Sequence, residues 1–172
     1  MTATAHSWRT RPETTADAQA VRRVLLAAFP TPQEADLVDA LRAGPAWLPG
    51  LSRVAETPGG QVAGYALLTR CRVGGDAALA LAPVAVLPSR QRTGAGGAAV
   101  RAVLDAAAGR GERLVVVLGH PDYYPRFGFG RASRLGITTS FEVPDEALMA
   151  LVLGGPGPVP SGTVEYPAPF GV

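Results

Sequence analysis

From Leu79 to Ala108 the chain reads LALAPVAVLPSRQRTGAGGAAVRAVLDAAA. This stretch divides into an apolar strand to Leu87, a proline-started loop over Pro88 to Gly97, and an amphipathic helix. Gly94, Gly96 and Gly97 stand where strand hands over to helix, so several backbone amides can be bared together at the positive end of a helix dipole. That is an anion cradle, and Arg90 and Arg92 flank it with forked donors suited to phosphate.

A glycine-rich turn of this kind can also be no more than a tight connection. Two familiar phosphate loops do not fit. The chain contains no lysine, which removes the nucleoside triphosphate loop GxxxxGK[ST]. Gly94, Gly96 and Ala99 imitate GxGxxG, but the strand before them does not open a βαβ unit.

On the N-terminal side, Ser7 to Arg11 reads as a short strand ended by Pro12. Thr14 and Asp17 form a capping-box pattern before a helix with Val21, Val24, Leu25 and Ala28 at helical spacing. Thr31, Pro32 and Glu34 start a second helix, with Leu37, Val38 and Leu41 inward. Trp47 and Leu48 after it either line a pocket or lie as a lid over the core. Leu51 to Glu56 is a strand, TPGG a hairpin turn, and Gln61 to Val73 a longer strand. Pro83 then interrupts the central strand, Ala77 to Leu87, and calls for a bulge or an unpaired edge there.

Toward the C-terminus, Val100, Val103, Leu104 and Ala107 make one face of the helix that Gly109 and Gly111 end. Arg113 to Gly119 is a continuous apolar strand, buried on both faces and parallel to the central one through a right-handed crossover. The spacing predicts a strand over Ile137 to Phe141, a short acid-capped helix over Pro144 to Leu151, a turn-rich connector over Gly154 to Gly162, and a last strand to Tyr166.

Bulk properties narrow the class. With 172 residues, 47% apolar and 17% charged, one globular domain over 1–172 is expected. A net charge of +2 from scattered arginines does not suit a nucleic-acid binder. No membrane span and no signal core are visible, which points to a cytoplasmic protein. Cys71 is alone, so no internal disulfide forms, and it reads as core filler; two distant histidines make no metal pattern.

Two motifs carry a resemblance. Val84, Val86 and Pro88 followed by Gln91, Gly94, Gly96 and Gly97 give VxVxP and [QR]xxGxG[GA]; Tyr124, Gly128 and Phe129 give YxxxGF within HPDYYPRFGF. Together they resemble the GNAT superfamily of acyl-CoA N-acyltransferases, and the strand order agrees over roughly residues 8 to 166. The resemblance implies an α/β fold: a mixed sheet of six to seven strands, the fourth bulged, flanked by about four helices. It implies acetyl-CoA as donor, no metal, and an acetyl group passed to a primary amine of a small molecule or peptide by direct attack in a ternary complex.

By the same resemblance, backbone groups of Val84, Ala85 and Val86 meet the pantetheine arm, and a backbone amide of Val84 or Val86 polarises the thioester carbonyl. Gln91, Arg92, Thr93, Gly94, Ala95, Gly96 and Gly97 hold the pyrophosphate, and Tyr124 is the general acid for the departing thiolate. The carboxylate that many members carry on the central strand is missing between Ala77 and Leu87. His120 is the candidate base, its other reading being a surface or structural histidine. That gap keeps open a catalytically silent acyl-CoA-binding sensor or interaction module, and behind it a binder of other nucleotide phosphates. The C-terminal elements allow a homodimer.

Overall fold

The computed structural model describes residues 8–172. At its centre is β4 (Asp76–Val86), antiparallel to β3 (Val62–Val73) on one side and parallel to β5 (Leu114–Leu118) on the other. With β1 at Arg9–Pro12, β2 at Ser52–Glu56, β6 at Gly130–Arg131 and β8 at Leu148–Val152, the sheet, nine-stranded among the described residues, runs β1-β2-β3-β4-β5-β8-β6. A branch adds β9 (Gly162–Glu165) beside the end of β3, with β7 (Ile137–Thr139) parallel to it. Ser7, placed in the first strand by the sequence, lies outside the described residues; Arg9–Pro12 forms it.

Alternation along β3 sorts the core into two layers. Ala66 and Leu68 face α3 (Ala95–Gly109), joining Leu79, Leu81, Val100, Val103, Leu104 and Ala107. Tyr65 and Leu67 face α1 (Ala18–Ala28) and α2 (Gln33–Arg42), with Val21, Leu25, Val38 and Leu41. The inward residues of these helices are those the helical spacing predicts, and each fully buried valine or leucine favours the fold by about 1.5–3 kcal/mol. Helix α1 is entered through a 3₁₀ turn, Thr15–Asp17, where the Asp17 carboxylate accepts from the Thr14 amide at 2.7 Å, as the TxxD pattern requires.

One expected helix is a strand. Over Pro144 to Leu151, only Asp145–Ala147 turn as 3₁₀; Leu148–Val152 then pairs antiparallel with β5 through its whole length. The acidic residues do open a helical turn, but the apolar run LMALV after them completes the sheet, which hydrogen-bonds β5 on the side away from β4 and buries Leu148, Met149 and Ala150. Among the described residues there are thus three α-helices, and the sheet gains strands at its C-terminal edge.

The bulge lies at Pro83. Ala66 pairs with Val84 and Leu68 with Leu81, so Ala82 and Pro83 together oppose Leu67; the Ala82–Pro83 peptide is cis. Beyond it, β4 and β5 separate. Their pairing is limited to Leu79 with Val115 and Ala80 with Val116, although both strands run on. A fork opens in the middle of the sheet, and the site is built around it. No helix among the described residues is long and apolar enough to cross a membrane.

Candidate active site

Past Ala80, one edge of β4 is bonded to β3 while the other has no neighbouring strand. Val84, Ala85 and Val86 line a cavity of about 770 Å³ on that free edge. The separated edge thus presents unpaired backbone amides and carbonyls to whatever enters.

The next wall is the start of α3. Gly94 is its N-cap at φ +91°, a left-handed conformation that costs a side-chain-bearing residue about 1–2 kcal/mol. The first intrahelical bond runs from the Ala98 amide to the Gly94 carbonyl, at 2.9 Å. Ala95, Gly96 and Gly97 therefore have no preceding turn to donate to, and all three line the cavity. A Cβ on Gly96 would lie 3.0 Å from Val86 Cγ2 and 3.3 Å from the Tyr123 hydroxyl, so only glycine keeps this part of the cradle clear.

Gln91 and Arg92 also line the cavity, Arg92 at a left-handed φ of +62°. Thr93 does not. Its hydroxyl donates to the Arg90 carbonyl, and its own carbonyl accepts from Trp8 Nε1 at 2.9 Å. Thr93 shapes the loop from behind.

The third wall follows β5. His120 and Tyr124 both reach the cavity, His120 exposed and Tyr124 half-buried in the 3₁₀ turn Tyr124–Phe127. The His120 carbonyl accepts the Tyr123 amide at 3.1 Å, which ties the histidine's own backbone to the tyrosine turn. The Tyr124 ring is gripped edge-on by Tyr123 at 5.1 Å and by Phe129 at 5.8 Å between centroids. Burial, reinforced by the neighbouring Tyr123, pushes its phenol up to about 12. Among the described residues its hydroxyl has no hydrogen-bond partner, so it is free to donate to a ligand.

Charge is one-sided. Arg90, Arg92, Arg101 and Arg126 line the cavity, and among the described residues no aspartate or glutamate does. The Arg101 guanidinium sits over the Phe127 ring at 5.0 Å, and that of Arg126 over Tyr123 at 4.3 Å, while Arg126 Nε donates to the Tyr123 carbonyl at 2.8 Å. With the bare helix start, this makes a site for a polyanion.

Of the residues predicted from sequence, Val84, Ala85, Val86, Gln91, Arg92, Gly94, Ala95, Gly96, Gly97, His120 and Tyr124 meet in this one cavity, and Thr93 alone stands outside it. Arg101, Arg126 and Tyr123 were not foreseen there. Arg101 had a readable signal, since it follows Gly97 by one helical turn and so shares its face.

Comparison with known proteins agrees with this geometry. Residues 18–129 match the acetyltransferase (GNAT) family model. The chain is 38% identical, over 135 residues covering 76% of it and 74% of the relative, to the uncharacterized N-acetyltransferase YjhQ of Escherichia coli K12. The crystal structure of the GNAT family N-acetyltransferase YhbS from E. coli in complex with CoA superposes with a TM-score of 0.88 at 28% identity, covering 100% of this chain and 96% of that one. A GNAT family acetyltransferase from Brucella melitensis in complex with acetyl-CoA gives 0.78 at 35% identity, covering 96% and 99%. A family model spanning most of the chain and a relative at this identity place it without ambiguity: it belongs to the GNAT family of acetyltransferases.

Proposed function

We propose that this protein transfers the acetyl group of acetyl-CoA to a primary amine. The observation that carries the reading is the run of unbonded amides at Ala95, Gly96 and Gly97 inside a cavity with four arginines and no carboxylate, beside the free edge of β4. These groups fit the donor's two chemistries, since the helix start and arginines suit its phosphates and the strand edge suits its amide-bearing arm.

Acetyl-CoA supplies an activated carbonyl on a thioester. The chain's own residues do the rest. Gln91 to Gly97 anchor the phosphates, with Arg92, Arg101 and Arg126 adding charge. A backbone amide of Val84 or Val86 polarises the carbonyl. The amine nitrogen attacks the carbonyl carbon in a ternary complex; the C–N bond forms, the C–S bond breaks, the nitrogen gives up a proton and the sulfur gains one. Tyr124 donates to the departing sulfur. With its phenol pushed up to about 12, it stays protonated throughout the working range. His120, on the same cavity, is assigned to take the amine's proton.

The test is thermal unfolding with and without acetyl-CoA, repeated on Gly94→Glu. At about 100 times Kd the donor stabilises by roughly 2.7 kcal/mol, or several degrees for a chain of this size, and the variant loses the shift. No shift in the parent protein rejects the reading. A module that binds acetyl-CoA without turning it over is favoured by one observation, the lack of a carboxylate base in the cavity. Saturable binding with no CoA release for any amine would select it.

A further inference from the structure

The fork between β4 and β5 opens onto the other face of the sheet as well. There a second, smaller cavity of about 240 Å³ lies against Ala80, Leu81 and Ala82 of β4 and Val116 to Leu118 of β5. The first cavity takes up both strands where this one leaves off, at Val84 on one side and His120 on the other. The two therefore flank a single gap in the sheet.

Its outer wall is a row of aromatic rings. Phe141 and Tyr166 lie 6.1 Å apart between centroids, and Tyr166 and Phe170 lie 5.1 Å apart, both pairs tilted. The opposite wall is aliphatic, Val172 closes one end, and none of the side chains around the cavity is charged. Of the acids next to these rings in sequence, Glu142 lines a separate groove beyond Phe141 together with Asp145, which is bound to Arg131 at 3.1 Å, and Glu165 is exposed at the end of β9. The hydroxyl of Tyr166, which lines the cavity, is buried with no hydrogen-bond partner among the described residues. An unpaired buried hydroxyl is costly unless a ligand completes it.

Resting on the acetyl-transfer reading, we propose that this cavity holds the body of the acceptor, and that the acceptor is a small amine carried on an apolar group, aromatic or branched aliphatic, with no second charge. The body stacks along Phe141, Tyr166 and Phe170, and the amine points through the fork toward the thioester. A carboxylate or second ammonium lodged here would be desolvated with no charged side chain to pair it, so amino acids, polyamines and lysine-rich peptides are disfavoured by the same surface that favours an arylalkylamine.

The experiment uses the full protein with acetyl-CoA or CoA bound. CoA release is measured with 2-phenylethylamine, 3-methylbutylamine, spermidine, glutamate and a lysine-containing peptide, and amine binding to the CoA complex is followed separately by ligand-observed NMR. The two apolar amines should exceed the others in kcat/KM by about 10-fold or more. Phe141→Ala and Phe170→Ala should each raise KM for 2-phenylethylamine several-fold and leave KM for acetyl-CoA unchanged. Two variants guard against one failing to fold. Equal or better use of spermidine or the peptide overturns the proposal, as does an unaltered amine KM in both folded variants, or no amine binding to the CoA complex. Binding of 2-phenylethylamine without CoA release keeps the cavity's assignment and removes catalysis instead, so the two failures are distinct.

Discussion

Gly119 and Tyr124 are packed so closely that a Cβ on Gly119 would lie 2.5 Å from Cε2 of the tyrosine ring and 3.1 Å from Cδ2. Gly119 follows β5 directly, and its amide donates to the Ala147 carbonyl at 3.0 Å, so it cannot drift to make room. The end of the parallel strand thereby fixes where the phenol stands. Gly119→Ala must push the ring, and a displacement of this order costs about 100-fold in kcat. Stabilisation by acetyl-CoA should persist, because the helix start is untouched. Steady-state kinetics beside thermal shift decides it, and an unchanged kcat would detach Tyr124 from the chemistry.

Gly94 and Gly96 are two residues apart yet should fail differently as alanine. Gly94 has only the Trp8 ring near its missing Cβ, at 3.9 Å, but it holds φ +91°. Gly94→Ala should lower stability by about 1–2 kcal/mol. Gly96 has ordinary helical backbone but meets Val86 and Tyr123 within 3.3 Å. Gly96→Ala should weaken acetyl-CoA binding by about 10-fold, near 1.4 kcal/mol, with a smaller change in unfolding temperature. Titration calorimetry and thermal melts on the pair separate the two effects; equal loss of binding in both variants would contradict the steric account.

The same contrast explains what the sequence made legible. Gly94, Gly96 and Gly97 are visible because a strand-to-helix turn needs particular residues at particular steps, and Pro83 because a proline cannot continue a ladder. Local rules of that kind also found α1, α2 and α3. The strand Leu148–Val152 escaped, since LMALV suits a helix as well as a strand and only its pairing with β5 decides between them. Arg126 and Tyr123 reach the cavity through a 3₁₀ turn whose direction is set by contacts distant in sequence, such as Tyr123 beside Gly96, which no local pattern encodes. The aromatic row of Phe141, Tyr166 and Phe170 likewise spans three separate segments.

Alkaline pH offers a clean test of the buried phenols. The chain has no lysine, so between about pH 9 and 11 its side-chain titration is confined to four tyrosines and one cysteine. Burial pushes Tyr124, Tyr166 and the Cys71 thiol each up to about 12. Groups raised in the fold keep their protons after the unfolded chain has lost them. Their contribution is therefore intact below pH 9 and declines as pH rises from there toward 12. Urea midpoints from pH 8 to 11 should fall steadily, and Tyr166→Phe should flatten the upper part of the curve. A midpoint independent of pH would mean that these groups are solvated.

Acid acts through a different cluster. The Arg11 guanidinium donates to both oxygens of Asp17, at 2.7 and 2.8 Å, and through Nε to Glu56, so one side chain of β1 binds the entrance of α1 to β2. Arg11, chiefly, with the Thr14 amide and hydroxyl, holds the Asp17 carboxyl far below the usual carboxylate range against the opposing effect of its burial. A carboxyl depressed in the fold stabilises above its unfolded value near 4 and loses that contribution as pH falls below it. Asp17→Asn leaves Arg11 with Glu56 alone and should cost about 2 kcal/mol at pH 7. The parent protein should lose stability between about pH 5 and 3, where the variant's curve is flatter, so that the gap between them narrows with acid. Chemical unfolding of both proteins across that range measures it. A gap that stays constant with pH would show that Asp17 acts by shape, as the helix cap alone, and that its charge contributes nothing.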